Sequence, residues 1–486
     1  MDNAFVTLAR QLHASIPHTK RFLERWTADA AFRQQLSEDP SGTMQAYKLQ
    51  ADLERIRPLF DKTAATTWGQ DFPEEVRYYQ DFIALKHKHR DQIRASGSPS
   101  HPDFRQWRRR QMLRGHWELG PGRSAGLVHP PACFELSKGC TVKCWFCGVG
   151  ALPYEGSWPY SPENAALWQS TLAIMNELFS DAVGNGFCYW GTDPLDNPDY
   201  EKFLIDFRRI LGKLPQTTTA LGHKDPQRSR ALLQLAHESG GFVERFSVLS
   251  LSLFNRIHEE FTPEELLCVE LVQQFNEMEG GKALAGAGRE RALRKHAEKN
   301  VPLPANIEDG GTIACVSGFL FNMFERSVKL VSPCSANTRW PLGYIVFHEF
   351  HFQDAADLRQ KLEDTVRNHM SPTVTVNMPM RFHNCLRLEY SQEGFKLTSP
   401  YYVIQMDKFA HGADLGRRVA AGTQTAGQIA EARLAELGVD PVDTLMDLST
   451  LLNDGLLAEE PAAPAAEEKL ITLRPPRASA VASPPS

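Results

Sequence analysis

Long apolar runs are missing from this sequence of 486 residues. No stretch approaches the roughly 18 consecutive apolar residues that a membrane-spanning helix requires. The opening residues, MDNAFVTLARQLHAS, lack the basic segment and apolar core of a secretion signal. We therefore expect a cytoplasmic protein that does not enter a membrane.

Cysteine is scarce, and positive charge is not in excess. The nine cysteines are odd in number and scattered, which does not suit a disulfide framework. A formal net charge of −6 argues against a general nucleic-acid binder. The hydrophobic content of 42% and the charged content of 23% are those of an ordinary globular protein, and the length predicts two to four folded units.

Three of the cysteines are closely spaced, in the segment Cys140-Thr-Val-Lys-Cys144-Trp-Phe-Cys147. Iron–sulfur clusters are held by thiolates, normally one per iron. Three close thiols with no fourth partner therefore predict a four-iron cluster in which one iron keeps a free position. A structural zinc site would need a fourth Cys or His nearby, and three unrelated thiols are the other alternative.

This spacing, with the aromatic Phe146 ahead of the last cysteine, resembles the radical S-adenosylmethionine superfamily. The resemblance implies a [4Fe-4S] cluster on Cys140, Cys144 and Cys147. It also implies that S-adenosylmethionine binds at the free iron, with Phe146 beside the cofactor.

The pattern of apolar residues divides the chain into regions. Residues 1–130 have helical spacing, whereas strand-like and helical segments alternate over 131–350. That alternation predicts an α/β fold with parallel strands joined by helices, and the resemblance makes it a partial (β/α)6 barrel. The cysteine segment follows the first predicted strand, Cys133–Ser137, at the end where barrel folds place their chemistry. The other predicted elements are strands at 186–190, 217–221, 245–252, 311–322 and 326–332, and a long helical stretch over 263–299.

The loop after the second predicted strand reads Trp190-Gly191-Thr192-Asp193-Pro194. In radical S-adenosylmethionine enzymes a short glycine-containing motif at this place receives the methionyl amine, because an ammonium group needs acceptors. The resemblance assigns that role to Trp190, Gly191, Thr192 and Asp193. The usual two glycines and glutamate are replaced here, and Asp193 is equally a turn residue before proline.

Two serines of the fourth predicted strand are further cofactor candidates. Ser250 and Ser252 are expected to alternate along that strand and to reach the ribose or the carboxylate of S-adenosylmethionine.

A narrower resemblance comes from three motifs taken together. They are the segment Glu135–Gly148, the Trp-Gly-Thr-Asp-Pro turn, and Ser332-Pro-Cys334 followed by Arg339–Tyr344. Over about residues 15–460 the chain resembles radical S-adenosylmethionine epimerases that mature ribosomal peptides of the proteusin type. The resemblance implies that L-residues of a precursor peptide become D-residues. A 5′-deoxyadenosyl radical removes the Cα hydrogen, and a cysteine thiol returns a hydrogen atom to the opposite face.

The hydrogen-atom donor is expected to be Cys334. This residue follows a late strand, whose C-terminal end would project toward the face that carries the cysteine segment. Cys385 is the alternative donor. The remaining cysteines, Cys133, Cys188, Cys268 and Cys315, are expected to be structural.

The C-terminal region, 351–460, has a hairpin pattern with a turn at Gly394, then helical patterns over Ala426–Leu437 and Pro441–Asn453. This order resembles a small winged-helix module. Related modules in peptide-modifying enzymes bind a precursor's leader as an added strand. DNA binding is disfavoured, because Val442–Asp454 carries three Asp and no Lys or Arg.

Two terminal features complete the predictions. Residues 461–486, rich in Ala and Pro, are expected to be disordered. A helix through Trp26–Leu36 that ends at Asp39-Pro40 looks like the leader segments of some modified peptides, although a simple packing helix explains it as well.

The expected partners are a precursor peptide and an electron donor such as a flavodoxin or ferredoxin. The first alternative function is another radical peptide maturase that forms thioether or carbon–carbon crosslinks or adds methyl groups. Crosslinking maturases commonly have extra cluster cysteines after the barrel, where this chain has Cys334 and Cys385. The second alternative, a cluster-based redox regulator, would need a basic DNA-binding face.

Overall fold

The computed structural model describes residues 13–68, 71–275, 282–390 and 394–461. It shows a mixed α/β protein in which helices precede, connect and follow short β-sheets. The tail that was predicted to be disordered lies outside the described residues beyond Pro461.

Helices make up the first region, as predicted. They are α1 Ser15–Ala28, α2 Ala30–Glu38, α3 Pro40–Ala46, α4 Leu53–Ile56, α5 Lys62–Trp68, α6 Glu74–Ser96 and α7 Pro102–Gly126.

The helix predicted through Trp26–Leu36 is in fact two helices. Asp29 adopts an extended backbone and its carboxylate accepts hydrogen bonds from the amides of Ala31 and Phe32, which starts α2 anew. The predicted stop is confirmed, because α2 ends at Glu38 and Asp39 caps the next helix.

The central region contains nine strands and six helices in the described ranges. The strands are β1 Ala132–Glu135, β2 Ser137–Lys138, β3 Gly156–Ser157, β4 Thr218–Thr219, β5 Glu244–Val248, β6 Val269–Gln273, β7 Gly318–Asn322, β8 Ser327–Pro333 and β9 Tyr344–His351. The helices are α8 Pro162–Phe179, α9 Tyr200–Leu211, α10 Pro226–Glu238, α11 Leu251–Glu260, α12 Gly286–Lys299 and α13 Ala355–His369.

Parallel pairing is present in the two larger sheets of the central region. Strands β4, β5 and β6 are parallel neighbours, with α10 and α11 as their connections. In the other sheet, ordered β1-β7-β8-β9, strand β1 is parallel to β7. The two sheets are separate in their hydrogen bonding, so the partial barrel stays a prediction.

Several predicted elements are wrong in extent. The strand predicted over 311–322 covers only Gly318–Asn322. The second predicted strand is a single parallel bridge between Phe187 and Cys133. The fourth ends at Val248, so Ser250 lies outside it. The helical stretch predicted from 263 contains strand β6, and of its described residues only Gly286–Lys299 is helical. Strand β6 forms there because its alternate side chains pack into a small core under α11.

The direction of β8 also differs from the prediction. Strand β8 is antiparallel to β7, pairing Asn322 with Ser327 and Gly318 with Val331. The short connection between the two strands allows only a hairpin, since a parallel pair needs a crossover of about a dozen residues. The end of β8 therefore lies where β1 and β7 begin, away from the end of β1 that leads into the cysteine segment.

The main core is packed between the β1-β7-β8-β9 sheet and helices α7, α8, α9 and α13. Helix α13 contributes Leu358, Leu362 and Val366 to this core. The predicted domain boundary at residue 350 therefore falls before a helix of the central region, and a second core begins at Val374.

The C-terminal region is built on that second core. It contains an antiparallel sheet ordered β10-β11-β12 and then three helices. The predicted hairpin is present as the first two strands. The elements are β10 Arg387–Tyr390, β11 Phe395–Thr398, β12 Val403–Met406, α14 Gly412–Ala421, α15 Ala426–Leu437 and α16 Pro441–Asn453.

None of the helices in the described ranges is long and apolar enough to cross a membrane.

Candidate functional site

The cysteine segment forms a loop whose base is closed by backbone hydrogen bonds. Strands β2 and β3 pair Ser137 with Ser157, and the Cys140 amide donates to the Leu152 carbonyl at 2.9 Å. At the entry to the loop, Gly139 has φ +75°, and a Cβ there would lie 2.1 Å from the Pro153 carbonyl oxygen. Only glycine fits this position, so Gly139 fixes where the loop begins.

The three thiols of this loop are half-buried and interact electrostatically. Burial raises the pKa of Cys140 to about 11, and Asp193 contributes to that shift. Burial raises the pKa of Cys144 to about 12, and the negative charges of Cys147, Cys140 and Asp193 add to the effect. The loop thus gathers thiols that are held near one another and near one carboxylate. Metal binding would offset this repulsion, since a coordinated thiol loses its proton.

The donor set suits an iron–sulfur cluster by type and number. In the described part of the chain, no group of three or more His, Cys, Asp or Glu side chains converges tightly enough to hold one metal ion. The thiolates of a four-iron cluster bind different irons, so they stand further apart than ligands that share a single ion. Three half-buried thiols in one loop closed by hydrogen bonds therefore fit a four-iron cluster. Cys140, Cys144 and Cys147 would hold it.

Asp193 sits beside this loop with its carboxylate already engaged. One oxygen accepts a hydrogen bond from Thr219 Oγ1 at 2.6 Å and from the Leu195 amide at 3.1 Å, and the other accepts from the Ala220 amide at 2.7 Å. Asp193 therefore caps a short 3-10 turn, as its turn interpretation predicted, and it also lies close to the thiols. Burial raises its pKa to about 6.

The glycine of the same loop is fixed by a glutamate that the sequence interpretation missed. The Gly191 amide donates to Glu135 Oε1 at 2.7 Å, and Asn322 Nδ2 donates to Glu135 Oε2 at 3.2 Å. Burial raises the pKa of Glu135 to about 7. A signal was present, because Glu135 ends an otherwise apolar strand. Thr192 is buried, and the half-buried Trp190 ring meets Tyr344 edge to face, with ring centroids 5.6 Å apart.

A second acid holds the start of the cysteine loop. Asp196 accepts the Thr141 amide at 2.9 Å and the Thr141 hydroxyl at 2.6 Å. The cysteine loop and the Trp190–Asp193 loop are thereby tied together. Asp196 had no recognisable pattern in the sequence, because its partner is 55 residues away.

Helix α12 closes the far side of the cysteine loop. The Ala287 amide donates to the Cys147 carbonyl at 2.9 Å. Gly286 has φ +49°, and a Cβ there would lie 2.4 Å from the same carbonyl oxygen. Phe146 is half-buried, with Lys282 Nζ 4.6 Å from its ring centroid.

The two serine candidates lie at the start of α11 instead of along a strand. Ser250 caps the helix by accepting the Leu253 amide at 3.1 Å, and its hydroxyl is 3.0 Å from that of Ser252. Their proposed contact with S-adenosylmethionine stays a prediction, but its geometric basis, alternation along β5, is wrong.

Cys334 is fully enclosed, with 1% of its surface exposed. It follows β8, and its amide donates to the Gly343 carbonyl at 3.0 Å. The neighbouring Leu342 side chain lies against Gly150 of the cysteine loop. The face that Cys334 shares with the cysteine segment stays a prediction. Helix α7 supplies its charged neighbours. Arg114 Nη1 donates to Glu118 Oε2 at 2.7 Å, and Glu118 Oε1 accepts the Ser335 amide at 2.9 Å. Burial raises the pKa of the Cys334 thiol well above its ordinary range.

Cys385 lies in the same electrostatic surroundings. Glu118, Arg114 and Glu460 influence the pKa of both Cys334 and Cys385. The structure therefore brings the two candidate donors into one region, although they are far apart in sequence.

Glu460 provides the centre of this region. Its carboxylate is buried, and Arg381 Nη2, His383 Nδ1 and Arg339 Nη1 lie 3.6, 3.8 and 3.9 Å away. No sequence pattern indicated this grouping. We name it the charged cluster, and its members are Arg114, Glu118, Arg339, Arg381, His383 and Glu460.

Comparison with known proteins gives a relative of similar length. The uncharacterized protein y4wI of Sinorhizobium fredii is 37% identical over 429 residues, which cover 85% of this chain and 82% of the relative. The chain belongs to the y4wI family. No protein-family model matches the sequence.

Among solved structures, the y4wI-family chain has a weak similarity to the crystal structure of BtrN in complex with AdoMet and 2-DOIA. The match has a TM-score of 0.28 and 14% sequence identity, and covers 41% of this chain and 72% of that one. A likeness at this level supports no conclusion about fold or function.

Proposed function

We propose that this member of the y4wI family is a radical S-adenosylmethionine enzyme that inverts residues in a ribosomally made precursor peptide of the proteusin type. The observation that carries the proposal is the loop of Cys140, Cys144 and Cys147. It offers three thiols with the spacing of a three-ligand four-iron site, and it follows the C-terminal end of a parallel strand. The α/β region would then act as a partial (β/α)6 barrel around the substrate.

The loops around the thiols would place the cofactor. When bound, the cluster and S-adenosylmethionine would supply the 5′-deoxyadenosyl radical that removes a peptide Cα hydrogen. Asp193 holds the Trp190–Asp193 loop through Thr219 and Ala220, and Glu135 holds it through the Gly191 amide. These contacts would orient the backbone of Gly191 and Thr192 toward the methionyl ammonium, with Asp193 adding nearby negative charge.

Inversion requires a second hydrogen source on the opposite face of the substrate. We propose Cys334 as that source, with Cys385 as the alternative. A hydrogen-atom donor must carry its S–H, and burial keeps both thiols protonated by raising the pKa of each. The substrate Cα would lie between the cysteine loop and the donor thiol.

The C-terminal region would bind the leader of the precursor. Strand β12 is an edge strand of its sheet, and Val403 on it is 64% exposed. Helix α16 exposes Val442 and Met446, each 63% exposed. An added leader strand could pair with β12 and place apolar side chains against such surfaces.

The decisive experiment is co-expression with a proteusin-type precursor in heavy water, followed by mass spectrometry of the peptide. A thiol that exchanges with solvent would add about one mass unit at each inverted Cα, and hydrolysis would release D-amino acids. A loss of about two units would indicate crosslinking, and a gain of about fourteen would indicate methylation. Either of those results would contradict the epimerase.

The number of irons sharpens the test. We expect about four irons per chain after anaerobic reconstitution, as one cluster requires. About eight would indicate an auxiliary cluster and favour a crosslinking maturase.

A further inference from the structure

An exposed aromatic residue of the cysteine loop is surrounded by positive charge. Trp145, between Cys144 and Phe146, is 52% exposed. The Arg291 guanidinium lies 4.6 Å from its ring centroid, and Lys282 Nζ lies 5.0 Å from it. Lys143, in the same loop, is exposed as well. The outer face of the cysteine loop is therefore both apolar and cationic.

Helix α12 extends this face. Arg291, Arg294 and Lys295 are exposed and stand three and four residues apart, which places them on one side of the helix. We name Lys143, Lys282, Arg291, Arg294 and Lys295, together with Trp145, the basic surface.

Among the residues that the structure describes, the cations of the basic surface are not neutralised by ion pairs. None of the five forms an ion pair with an acidic residue in the described ranges. Elsewhere, by contrast, several exposed arginines are paired, as Arg209 is with Asp206 and Arg367 with Asp364. The acids of α12 are Glu290 and Glu298, fewer than its exposed cations. An unpaired positive patch is a departure in a chain whose net charge is −6.

The basic surface lies directly over the proposed cluster ligands. Trp145 is the neighbour of Cys144 in the chain, and Ala287, at the start of α12, donates its amide to the Cys147 carbonyl at 2.9 Å. A protein seated on this surface would come close to the cluster.

We propose that the basic surface docks a small acidic protein that carries one electron on a flavin or iron–sulfur centre. The inference rests on the proposed function, in which each cleavage of S-adenosylmethionine requires one electron. The reduced carrier would give up that electron to a cluster held by Cys140, Cys144 and Cys147, and the bound cluster would supply it for cleavage of S-adenosylmethionine to methionine and the 5′-deoxyadenosyl radical. Opposite charges on the two proteins would raise the association rate and fix their orientation. The exposed Trp145 would form the apolar centre of the contact.

The test uses the full-length, anaerobically reconstituted protein and a flavodoxin with bound FMN. The affinity of the two proteins is measured at low and high salt, and the rate of cluster reduction by reduced flavodoxin is measured by stopped-flow absorbance. The variant R291E/R294E/K295E reverses three charges of the basic surface. The variant K62E/R109E/R208E, a matched control, reverses three exposed cations elsewhere that form no ion pair in the described ranges.

We expect the surface variant to weaken binding and slow reduction by about tenfold or more, and the control by less than about twofold. Binding of the unmodified protein should weaken steeply with salt. Equal affinities for the two variants, or binding that does not depend on salt, would overturn the proposal. The proposal would also be overturned by a surface variant that loses affinity for the precursor peptide or for nucleic acid while its affinity for flavodoxin is unchanged.

Dithionite separates this inference from the proposed function, because a small chemical reductant needs no docking. With dithionite, the surface variant should form 5′-deoxyadenosine within about twofold of the unmodified rate. If the unmodified protein forms none with dithionite, the proposed function fails. If it forms 5′-deoxyadenosine and the surface variant is still reduced normally by flavodoxin, only the docking proposal fails.

Discussion

Two groups of cysteines lie in different surroundings. Cys140, Cys144 and Cys147 are half-buried in a loop that is held by its backbone and by Asp196. Cys334 is 1% exposed, and Cys385 is half-buried; both lie beside the charged cluster. The first group is close together in one loop, whereas in the second group Cys334 is enclosed.

This difference matches two chemical requirements. Thiols that bind a metal must lose their protons and must be reachable by the incoming cluster. A thiol that donates a hydrogen atom must instead keep its proton, and an enclosed position prevents competing reactions. Burial raises the pKa of Cys140 and Cys144 and also that of Cys334 and Cys385, so only a bound metal would separate the protonation states of the two groups.

The largest effect is expected when one thiol of the first group is removed. Cys144→Ala should reduce the iron content from about four per chain to well below one and abolish formation of 5′-deoxyadenosine, because a three-thiolate cluster site would lose a ligand. Iron and sulfide analysis with electron paramagnetic resonance measures the change. Cys268→Ala, outside both groups, is the control and should keep its iron. Full iron in the Cys144→Ala protein would contradict the assignment.

Cys334→Ala tests the second group. The variant should keep its cluster and its 5′-deoxyadenosine formation, while D-residues fall by at least about a hundredfold, because no thiol restores the hydrogen atom. Chiral analysis of the hydrolysed peptide measures the result. The same loss in Cys385→Ala alone, with normal inversion in Cys334→Ala, would transfer the role to Cys385.

Removing the principal cation beside Cys334 should destabilise the fold. Arg114 is 2% exposed and pairs with Glu118, so Arg114→Ala would leave a buried carboxylate without its partner. We expect the free energy of unfolding to fall by about 3–5 kcal/mol. Urea denaturation of the cluster-free protein measures the change. Adding Glu118→Gln should recover part of the loss, and no recovery would show that the ion pair is not the cause.

The charged cluster should also make the fold sensitive to acid. Burial, with Arg114 and Arg381 nearby, lowers the pKa of His383 to about 4 despite the opposing charge of Glu460. The unfolded chain would protonate this histidine near pH 6.5, so stability is lost as the pH falls from about 6.5 toward 4. Over that range the unmodified protein should lose about 2–3 kcal/mol more than His383→Gln. Parallel stability curves for the two proteins would contradict this origin.

The smallest expected effect concerns the anchor of the cysteine loop. Thr141→Val removes the hydroxyl that donates to Asp196 at 2.6 Å and keeps the amide hydrogen bond. One such bond contributes about 1 kcal/mol, so a chelator should remove the cluster about fivefold faster. Thr66→Val, which removes an exposed hydroxyl that bonds within its own helix, should leave the rate unchanged.

Local patterns predicted much of the fold. The helical first region and the hairpin of the C-terminal region are present, because apolar spacing and turn residues act over a few positions. The extent of β6 was missed because a short apolar strand has no periodicity that distinguishes it from a buried helix. Ser250 was placed in a strand for a similar reason, since a helix cap and a strand residue are both extended.

Long-range placement could not be predicted in the same way. Glu135, Asp196 and Glu460 became recognisable as site residues only through partners tens to hundreds of residues away. The direction of β8 was accessible in principle, because four residues separate it from β7.

By itself, the sequence determined the spacing of Cys140, Cys144 and Cys147 and the glycine that begins their loop, since both are properties of one short segment. The tertiary structure alone decided which acids hold that loop, that Cys334 and Cys385 share one charged environment, and that Cys334 is enclosed. These features depend on strand direction and on the packing of distant segments, and the free energy of such packing is shared among residues that no local pattern connects.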